Sequence, residues 1–250
     1  TGPPPAFDGH LPVDGFCPLY ASATSVAASH LYRYSDRAAT LDFVRPAVPT
    51  SGLDDRPLLA AHHDGVLYYM SNSVEGANGR QIIYRSLDGG MTFDPRGYTV
   101  PHSYLGFLDA DPRGDGVYAA VTDGDVTGTP AHSVFVSASS DRGATWSQTK
   151  VGDLMNGLPS GARTSSGVAT VTVSVSPTDG TVYVLWIDDG GRRIALAESH
   201  TRGRTWQTRD ITPFPGAFGF PWLSAQPGGG VAAVFVSDPD QIPGNLFYNY

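Results

Sequence analysis

The stretch S-S-D-R-G-A-T-W at residues 139–146 decides how the whole chain is interpreted, because it recurs along the sequence in the pattern S-x-D-x-G-x-T-W. The copies are S-L-D-G-G-M-T-F at 86–93, S-H-T-R-G-R-T-W at 199–206 and a more diverged Y-S-D-R-A-A-T-L at 34–41. The third positions of these octets are 36, 88, 141 and 201, so successive copies stand 52, 53 and 60 residues apart. A nearly fixed period of this length predicts a repeat architecture.

The residue types in the octet suit a tight turn. Glycine at the fifth position can adopt the positive φ that such turns require. The acid can accept backbone N–H groups across the turn, and the indole N–H of tryptophan seeks an acceptor nearby. In the last copy Thr201 replaces the acid, and its hydroxyl can take over part of that hydrogen bonding. We therefore predict a structural role for Asp88, Gly90, Phe93, Asp141, Gly143, Trp146, Gly203 and Trp206.

Between the octets, short runs alternate apolar and polar residues and are separated by Asp-Gly or Gly-rich turns. The run V-T-V-S-V-S at 171–176, for example, precedes a turn at Asp179-Gly180 and a second run at 181–187. This alternation predicts hairpins, with four short antiparallel strands in each repeat and the octet between the third and fourth strands. Radial repetition of such sheets makes a β-propeller. We predict an all-β propeller of four-stranded antiparallel blades over residues 19–250, with about five repeats visible.

The two ends of the sequence leave the closure of the propeller open. Residues 1–18 are rich in Pro and Gly and predict an extended arm. The first repeat has fewer residues before its octet than the other repeats have. The last repeat stops where a further octet would begin. Either the arm adds a strand to the last repeat and closes a five-bladed ring, or the chain is part of a six- or seven-bladed ring. An exposed last blade would leave an open edge, so closure or a partner is expected.

Composition limits the possible functions. The chain has 22 Asp but 2 Glu, and 15 Arg but one Lys, with 30 Gly and 20 Pro, which favours turns and strands over helices. The net charge of −8 and the absence of a basic run argue against a nucleic-acid partner. Cys17 is the single cysteine and has no internal disulfide partner. No window approaches the ~20 apolar residues of a transmembrane helix. The chain opens with Thr1 instead of Met, which is typical either of a mature product or of a piece of a longer protein. We expect an extracellular or periplasmic location.

The spaced octets resemble the Asp-box, or BNR repeat, of sialidases and related β-propellers. The resemblance covers nearly the whole chain, from about residue 19 to residue 250. It implies the propeller fold. It implies no single function, because Asp-boxes occur in sialidases, some other glycoside hydrolases, sorting receptors and photosystem assembly factors, and function depends on sites built onto a fold.

A sialidase of this type uses three arginines to hold the substrate carboxylate, a tyrosine with a glutamate partner as nucleophile, and an aspartate as acid or base. It also has an early F/Y-R-I/L-P motif, whereas here F-V-R-P at 43–46 is out of pattern and follows the first octet. Of the two glutamates, Glu198 directly precedes an octet and Glu75 lies in a loop between second and third strands. Glu75 is therefore the candidate catalytic glutamate, although a solvated loop carboxylate is the simpler interpretation.

Aspartates also cluster in the loops that follow the second strands of successive repeats, which a propeller would gather on one face. Paired carboxylates roughly 5 to 10 Å apart can serve as acid and base in glycoside hydrolysis. The same clusters could hold calcium, although the sequence requires no cofactor, and turn chemistry explains Asp in loops equally well. The catalytic candidates in these loops are Asp123 and Asp125, and the candidate binding residues are Asp188, Asp189, Asp238 and Asp240.

Aromatic side chains offer a second route to function, because exposed rings bind sugars or proteins whereas buried rings fill the core. The strand register decides between these roles for Trp222, Phe218, Phe220, Tyr68, Tyr69 and Trp186. The leading hypothesis from sequence is a non-catalytic propeller outside the cytoplasm that binds a protein partner or an extracellular glycan. The alternative is a sialidase-type exo-glycoside hydrolase that uses the Asp-rich loops.

Overall fold

The structure is a computed structural model that describes residues 6–7, 19–25, 28–35, 40–46, 54–62, 64–73, 80–124, 131–155, 171–188 and 191–238. These residues form 18 strands, which build four four-stranded sheets and one two-stranded sheet. All the pairings are antiparallel between strands that follow each other in the chain, and this confirms the predicted all-β architecture of four-stranded blades. Within the described ranges, no helix is long and apolar enough to span a membrane.

The chain divides into two compact units. The first unit contains the first and second sheets. The first sheet consists of β1 (Ala6–Phe7), β2 (Leu19–Ser25), β3 (Ala28–Ser35) and β4 (Thr40–Pro46). The second sheet consists of β5 (Asp54–Ala61), β6 (Leu67–Ser73), β7 (Gln81–Ser86) and β8 (Tyr98–Thr99).

The second unit contains the other three sheets. The third sheet consists of β9 (Leu105–Ala110), β10 (Val117–Thr122), β11 (Ser133–Ser139) and β12 (Ser147–Asp153). The fourth consists of β13 (Val171–Val175), β14 (Val182–Asp188), β15 (Arg193–Ser199) and β16 (Gln207–Asp210). The fifth consists of β17 (Ala217–Ala225) and β18 (Val231–Asp238).

The short strand β1 lies inside the segment that the sequence predicts as an extended arm. It pairs with β2 through Ala6 opposite Ser22 and Phe7 opposite Ala21. The first repeat therefore has four strands, although the sequence predicts only a short lead-in before its octet. This part of the arm belongs to the first sheet, whereas one of the two closures predicted from sequence gave it to the last sheet.

The core of the second unit lies between successive sheets. Every residue of β10 and of β14 is buried, so both faces of these second strands are covered. Such continuous burial explains why both strands have uninterrupted apolar runs. One cluster, which includes Val136, Val173 and Trp186, joins the third sheet to the fourth. A second cluster, which includes Leu185 and Leu223, joins the fourth sheet to the fifth.

The first strands of these three sheets lie side by side, with β13 between β9 and β17. Two hydrogen bonds from backbone to side chain connect them. The backbone N–H of Val175 donates to Asp109 Oδ2 at 2.8 Å, and the N–H of Ala225 donates to Ser174 Oγ at 3.0 Å. The row of first strands is thus held in register by polar side chains that are themselves buried.

Candidate functional site

The octet at 139–146 forms a turn whose hydrogen bonds are internal. Asp141 accepts the backbone N–H of Thr145 at 2.8 Å and its hydroxyl at 2.6 Å. Ser139 Oγ donates to Asp141 at 2.7 Å and accepts the N–H of Gly143 at 2.8 Å. The indole N–H of Trp146 donates to the carbonyl of Gly143 at 3.1 Å, and Gly143 has a φ of +74°. The groups that could contact a ligand are thus bonded within the turn.

The octet at 86–93 repeats this arrangement. Asp88 accepts the N–H of Thr92 at 2.8 Å and its hydroxyl at 2.6 Å, and Gly90 donates its N–H to Ser86 Oγ at 2.8 Å. Phe93 replaces tryptophan and has no polar atom to bond. Its ring instead packs edge-on to the buried Tyr69, with centroids 6.5 Å apart.

The octet at 199–206 keeps the same turn without the acid. Thr201 Oγ1 accepts the backbone N–H of Thr205 at 2.9 Å and lies 2.8 Å from the Thr205 hydroxyl. Trp206 donates its indole N–H to the carbonyl of Gly203 at 3.1 Å. A threonine hydroxyl therefore makes part of the bonding that a carboxylate makes in the other two copies.

The environment of Asp141 keeps its carboxylate ionised. Hydrogen bonds from the side chain and the backbone of Thr145, followed by the bond from Ser139, lower the pKa of Asp141 to about 2. A carboxyl group with such a pKa is deprotonated at ordinary pH and donates no proton. This agrees with a role in holding the turn and not with one in general acid catalysis.

Of the loop acids that the sequence singles out, Asp123 closes its own loop. One oxygen, Oδ1, accepts the backbone N–H of His132 at 2.6 Å and that of Ser133 at 2.8 Å. These bonds join the end of β10 to the start of β11. Asp125, which sequence reasoning pairs with Asp123, lies outside the described residues.

Asp188 is the last residue of β14, and its side chain is completely buried. Its Oδ1 accepts the backbone N–H of Met155 at 2.5 Å, and its Oδ2 lies 2.9 Å from Nη1 of Arg193. The same arginine places Nε 2.9 Å from Oδ2 of Asp210, at the end of β16. Asp188 and Arg193 are cross-strand partners in the ladder of β14 and β15. We call Asp188, Arg193 and Asp210 the ion-pair cluster.

The remaining sequence candidates have no described side chain. Glu75, Asp189 and Asp240 lie outside the described residues, as does the side chain of Asp238 at the end of β18. Within the part of the chain that is described, no group of three or more His, Cys, Asp or Glu side chains is placed to hold a metal ion. Calcium binding by these loops stays a prediction.

The structure separates the candidate aromatic side chains into core and surface. Phe218, Tyr68, Tyr69 and Trp186 are buried, whereas Phe220 is partly buried. Trp222 is different, because half of its surface (50%) is exposed. The register of β17 against β18 explains the exposure, since Trp222 pairs with Val234, which is itself 70% exposed.

Trp222 contacts a residue that sequence reasoning missed. Its ring meets that of Phe107, on β9, edge to face, with centroids 5.3 Å apart and an interplanar angle of 89°. Phe107 is partly buried against the core cluster between the third and fourth sheets. The two rings therefore belong to the first strands of two sheets that have β13 between them. We call Trp222 and Phe107 the aromatic corner.

A β-bulge precedes Trp222. Gly219 pairs with Val236 and Trp222 with Val234, so two residues of β17 stand opposite one of β18. One of the two is Pro221, which has no N–H to give to the ladder, and the other is Phe220, whose φ of +51° is rare for an aromatic residue. The G-F-P-W sequence is a local signal for this bulge, whereas nothing local indicates Phe107 as the contact.

Solved structures share this fold. A Hadza microbial sialidase aligns with a TM-score of 0.55 and 17% identity over 86% of this chain and 49% of its own. The NanB sialidase of Streptococcus pneumoniae aligns with a TM-score of 0.53 and 12% identity over 87% of this chain and 33% of its own. The SapL1 lectin, solved with α-methyl fucoside, aligns with a TM-score of 0.54 and 9% identity over 88% of this chain and 69% of its own.

Identities this low show the fold alone, and the chain has the β-propeller fold. It spans about half the length of the first of these sialidases and a third of the second. No protein-family model matches the sequence, and no curated protein matches it.

Proposed function

We propose that the chain is a non-catalytic, glycan-binding β-propeller domain that works outside the cytoplasm. The observation that carries the proposal is the ion-pair cluster of Asp188, Arg193 and Asp210, in which the acid at the end of β14 and the arginine at the start of β15 are already bonded to each other. The glycan part is supported by the fold, which is shared with sialidases and with a lectin solved with a fucoside.

The bonding of the loop acids supports binding over hydrolysis. Hydrolysis of a glycosidic bond needs one carboxyl group that gives a proton and a second that attacks or activates water. Asp123 uses Oδ1 for two backbone N–H groups, and Asp188 uses both oxygens for Met155 and Arg193. Removing either carboxylate from its bonds would take these donors away from their partners and loosen the strand ends that the bonds hold, which costs free energy.

Two of the arginines support the same conclusion. A sialoside carboxylate needs arginines whose donors face the ligand. Arg193 is engaged by two aspartates, and Arg85, near the octet at 86–93, pairs with Asp94 at 2.8 Å. We further propose that the octets are Asp-boxes with a structural role, supported by the internal bonds of Asp88 and Asp141.

Two assays on the purified chain test the proposal together. A glycan microarray with neutral and sialylated glycans measures binding, and fluorogenic sialosides with a panel of other glycosides measure turnover. We expect binding without turnover. Turnover that disappears in Glu75→Gln or Asp125→Asn would replace the proposal with the hydrolase alternative. Binding of no glycan on the array would contradict the glycan part.

A further inference from the structure

We propose that the aromatic corner, Trp222 on β17 and Phe107 on β9, is a binding site for an uncharged pyranose ring. The inference rests on the proposed glycan-binding function and adds where the sugar binds and which chemical class it belongs to.

Exposure distinguishes Trp222 from the other three tryptophans. Trp186 is buried in the core, and the indole N–H groups of Trp146 and Trp206 are bonded to glycine carbonyls in their octets. These three have structural tasks. Trp222 keeps 50% of its surface exposed although it lies in a strand whose neighbour Leu223 is buried. Exposed aromatic rings can form a surface that binds sugars, and Trp222 shares its exposed face of the sheet with its cross-strand partner Val234.

The orientation of the corner is fixed before a ligand arrives. Phe107 packs against the core between the third and fourth sheets, and Trp222 meets it at 89°. The two rings therefore form perpendicular walls. The C–H groups on one face of a pyranose carry partial positive charge, and the face of an aromatic ring is negative. A sugar can stack on one ring while the other limits its position, with little ordering of side chains on binding.

The backbone before Trp222 is held in an uncommon conformation. Phe220 has a φ of +51° inside the bulge that Gly219 and Trp222 delimit. Bulges redirect side chains and occur near binding sites, and non-glycine residues at positive φ persist where the surroundings enforce them. The bulge sets the position of Trp222 on β17, so the strained backbone and the exposed ring belong to the same feature.

The charge of the first strands selects an uncharged sugar. In β9, β13 and β17 the single charged residue is Asp109. It is buried and accepts the N–H groups of Ala110 and Val175 at 2.8 Å each. These three strands thus offer no cation to an acidic sugar, and the chain as a whole carries −8. An uncharged pyranoside fits this surface better than a sialoside does.

The test measures binding of three probes, methyl β-galactoside, methyl α-fucoside and methyl α-sialoside, to the whole chain by calorimetry and by quenching of tryptophan fluorescence. We expect an uncharged probe to bind and to weaken at least about tenfold in Trp222→Ala, a loss equivalent to one ring contact. Phe107→Ala should weaken binding less, because Trp222 remains. Trp222→Phe should retain part of the affinity and Trp222→Leu should lose it, since leucine fills the volume without a ring.

Val234→Ala is the matched control. Val234 is the cross-strand partner of Trp222 and is more exposed, yet it has no ring to stack on a sugar. Glycan binding that persists unchanged in Trp222→Leu, with native circular dichroism, would overturn the inference and leave the proposed function intact. An equal loss in Val234→Ala, with a change of oligomeric state in sedimentation, would overturn it in favour of a second copy docking on β18. No glycan bound by the wild-type chain would overturn the proposed function itself.

Discussion

A single carboxylate joins the first and seventh residues of each acid-containing octet. In Asp141 and Asp88 both oxygens bond to the threonine four residues later. Burial raises the pKa of Asp88, but the bonds from Thr92 and Ser86 offset this and leave the pKa below its ordinary value. Residue chemistry of this kind is local, and for that reason it can be predicted from sequence.

We predict that Asp141→Ala lowers the melting temperature at pH 7. The pKa of Asp141 is depressed in the fold, from 3.8 to about 2, so its contribution is present above about pH 4 and is lost as the pH falls through 2. The difference between wild type and variant should therefore shrink between pH 4 and pH 2, as measured by thermal melts. Asp153→Asn, at an exposed carboxylate paired with Lys150, is the control and should change little. A difference in melting temperature between wild type and Asp141→Ala that stays constant from pH 4 to pH 2 would contradict the stabilising role of the Asp141 carboxylate.

The octet at 199–206, in which Thr201 replaces the aspartate, gives a prediction of the opposite sign. Thr201→Asp should let a carboxylate accept the N–H and hydroxyl of Thr205, as Asp141 does from Thr145. Arg202 and Arg204 flank the position and favour a negative charge. We expect the melting temperature to rise by about 2–4 °C, the shift produced by about 1 kcal/mol in a chain of this size. Thr201→Val removes the hydroxyl instead and should lower the melting temperature.

At the scale of strands, the sheets of the second unit depend on close approach as well as on apolar area. Gly152 on β12 faces Trp186 on β14, and a Cβ at Gly152 would lie 2.7 Å from Cζ2 of that ring. The ring and the glycine therefore fit each other across neighbouring sheets. The sequence indicates neither partner, because they belong to different repeats.

Gly152→Ala is expected to destabilise the chain by about 1–3 kcal/mol, the usual result of overpacking a core. Urea denaturation measures the loss. Gly230→Ala is the matched control, because a Cβ there would meet nothing within 4 Å, and it should stay within about 0.5 kcal/mol of wild type. Similar losses in both variants would mean that loss of glycine flexibility, and not contact with Trp186, is responsible.

The ion-pair cluster ties the ends of three strands together. Arg193→Ala would leave the buried carboxylate of Asp188 without its cation, and we expect a loss of about 3 kcal/mol in urea denaturation. Asp210→Asn should cost less than about 1 kcal/mol, because Asp210 is 53% exposed. Equal effects of the two variants would show that burial of Asp188 does not set the energy of the cluster.

At the scale of the whole molecule, the chain shares a propeller fold with proteins that are longer than itself. The fold does not choose between binding and hydrolysis, because loops and inner strands carry the function. Net charge does constrain the ligand. Because the chain has a net charge of −8, long-range electrostatic attraction does not favour an anionic partner.

We therefore predict that glycan affinity depends little on salt. Binding to an uncharged sugar by ring stacking should change less than about twofold between 0.05 and 0.5 M NaCl, whereas an ion-paired ligand is screened strongly over this range. Calorimetry of the wild-type chain with methyl β-galactoside and methyl α-fucoside measures this. A steep loss of affinity with salt would point to a charged contact and against the aromatic corner.

The sequence alone determined the parts of this protein that depend on neighbours in the chain. The octets, the hairpins and the four-stranded sheets follow from residues a few positions apart, because turn bonds and strand alternation are local. Tertiary structure decided what long-range packing controls: burial of Tyr68 and Trp186, pairing of Asp188 with Asp210 through Arg193, and contact of Trp222 with Phe107. The ring contact joins sheets that are distant in sequence, whereas the ion pairs join three consecutive strands, and no local pattern encodes which of these side chains will meet.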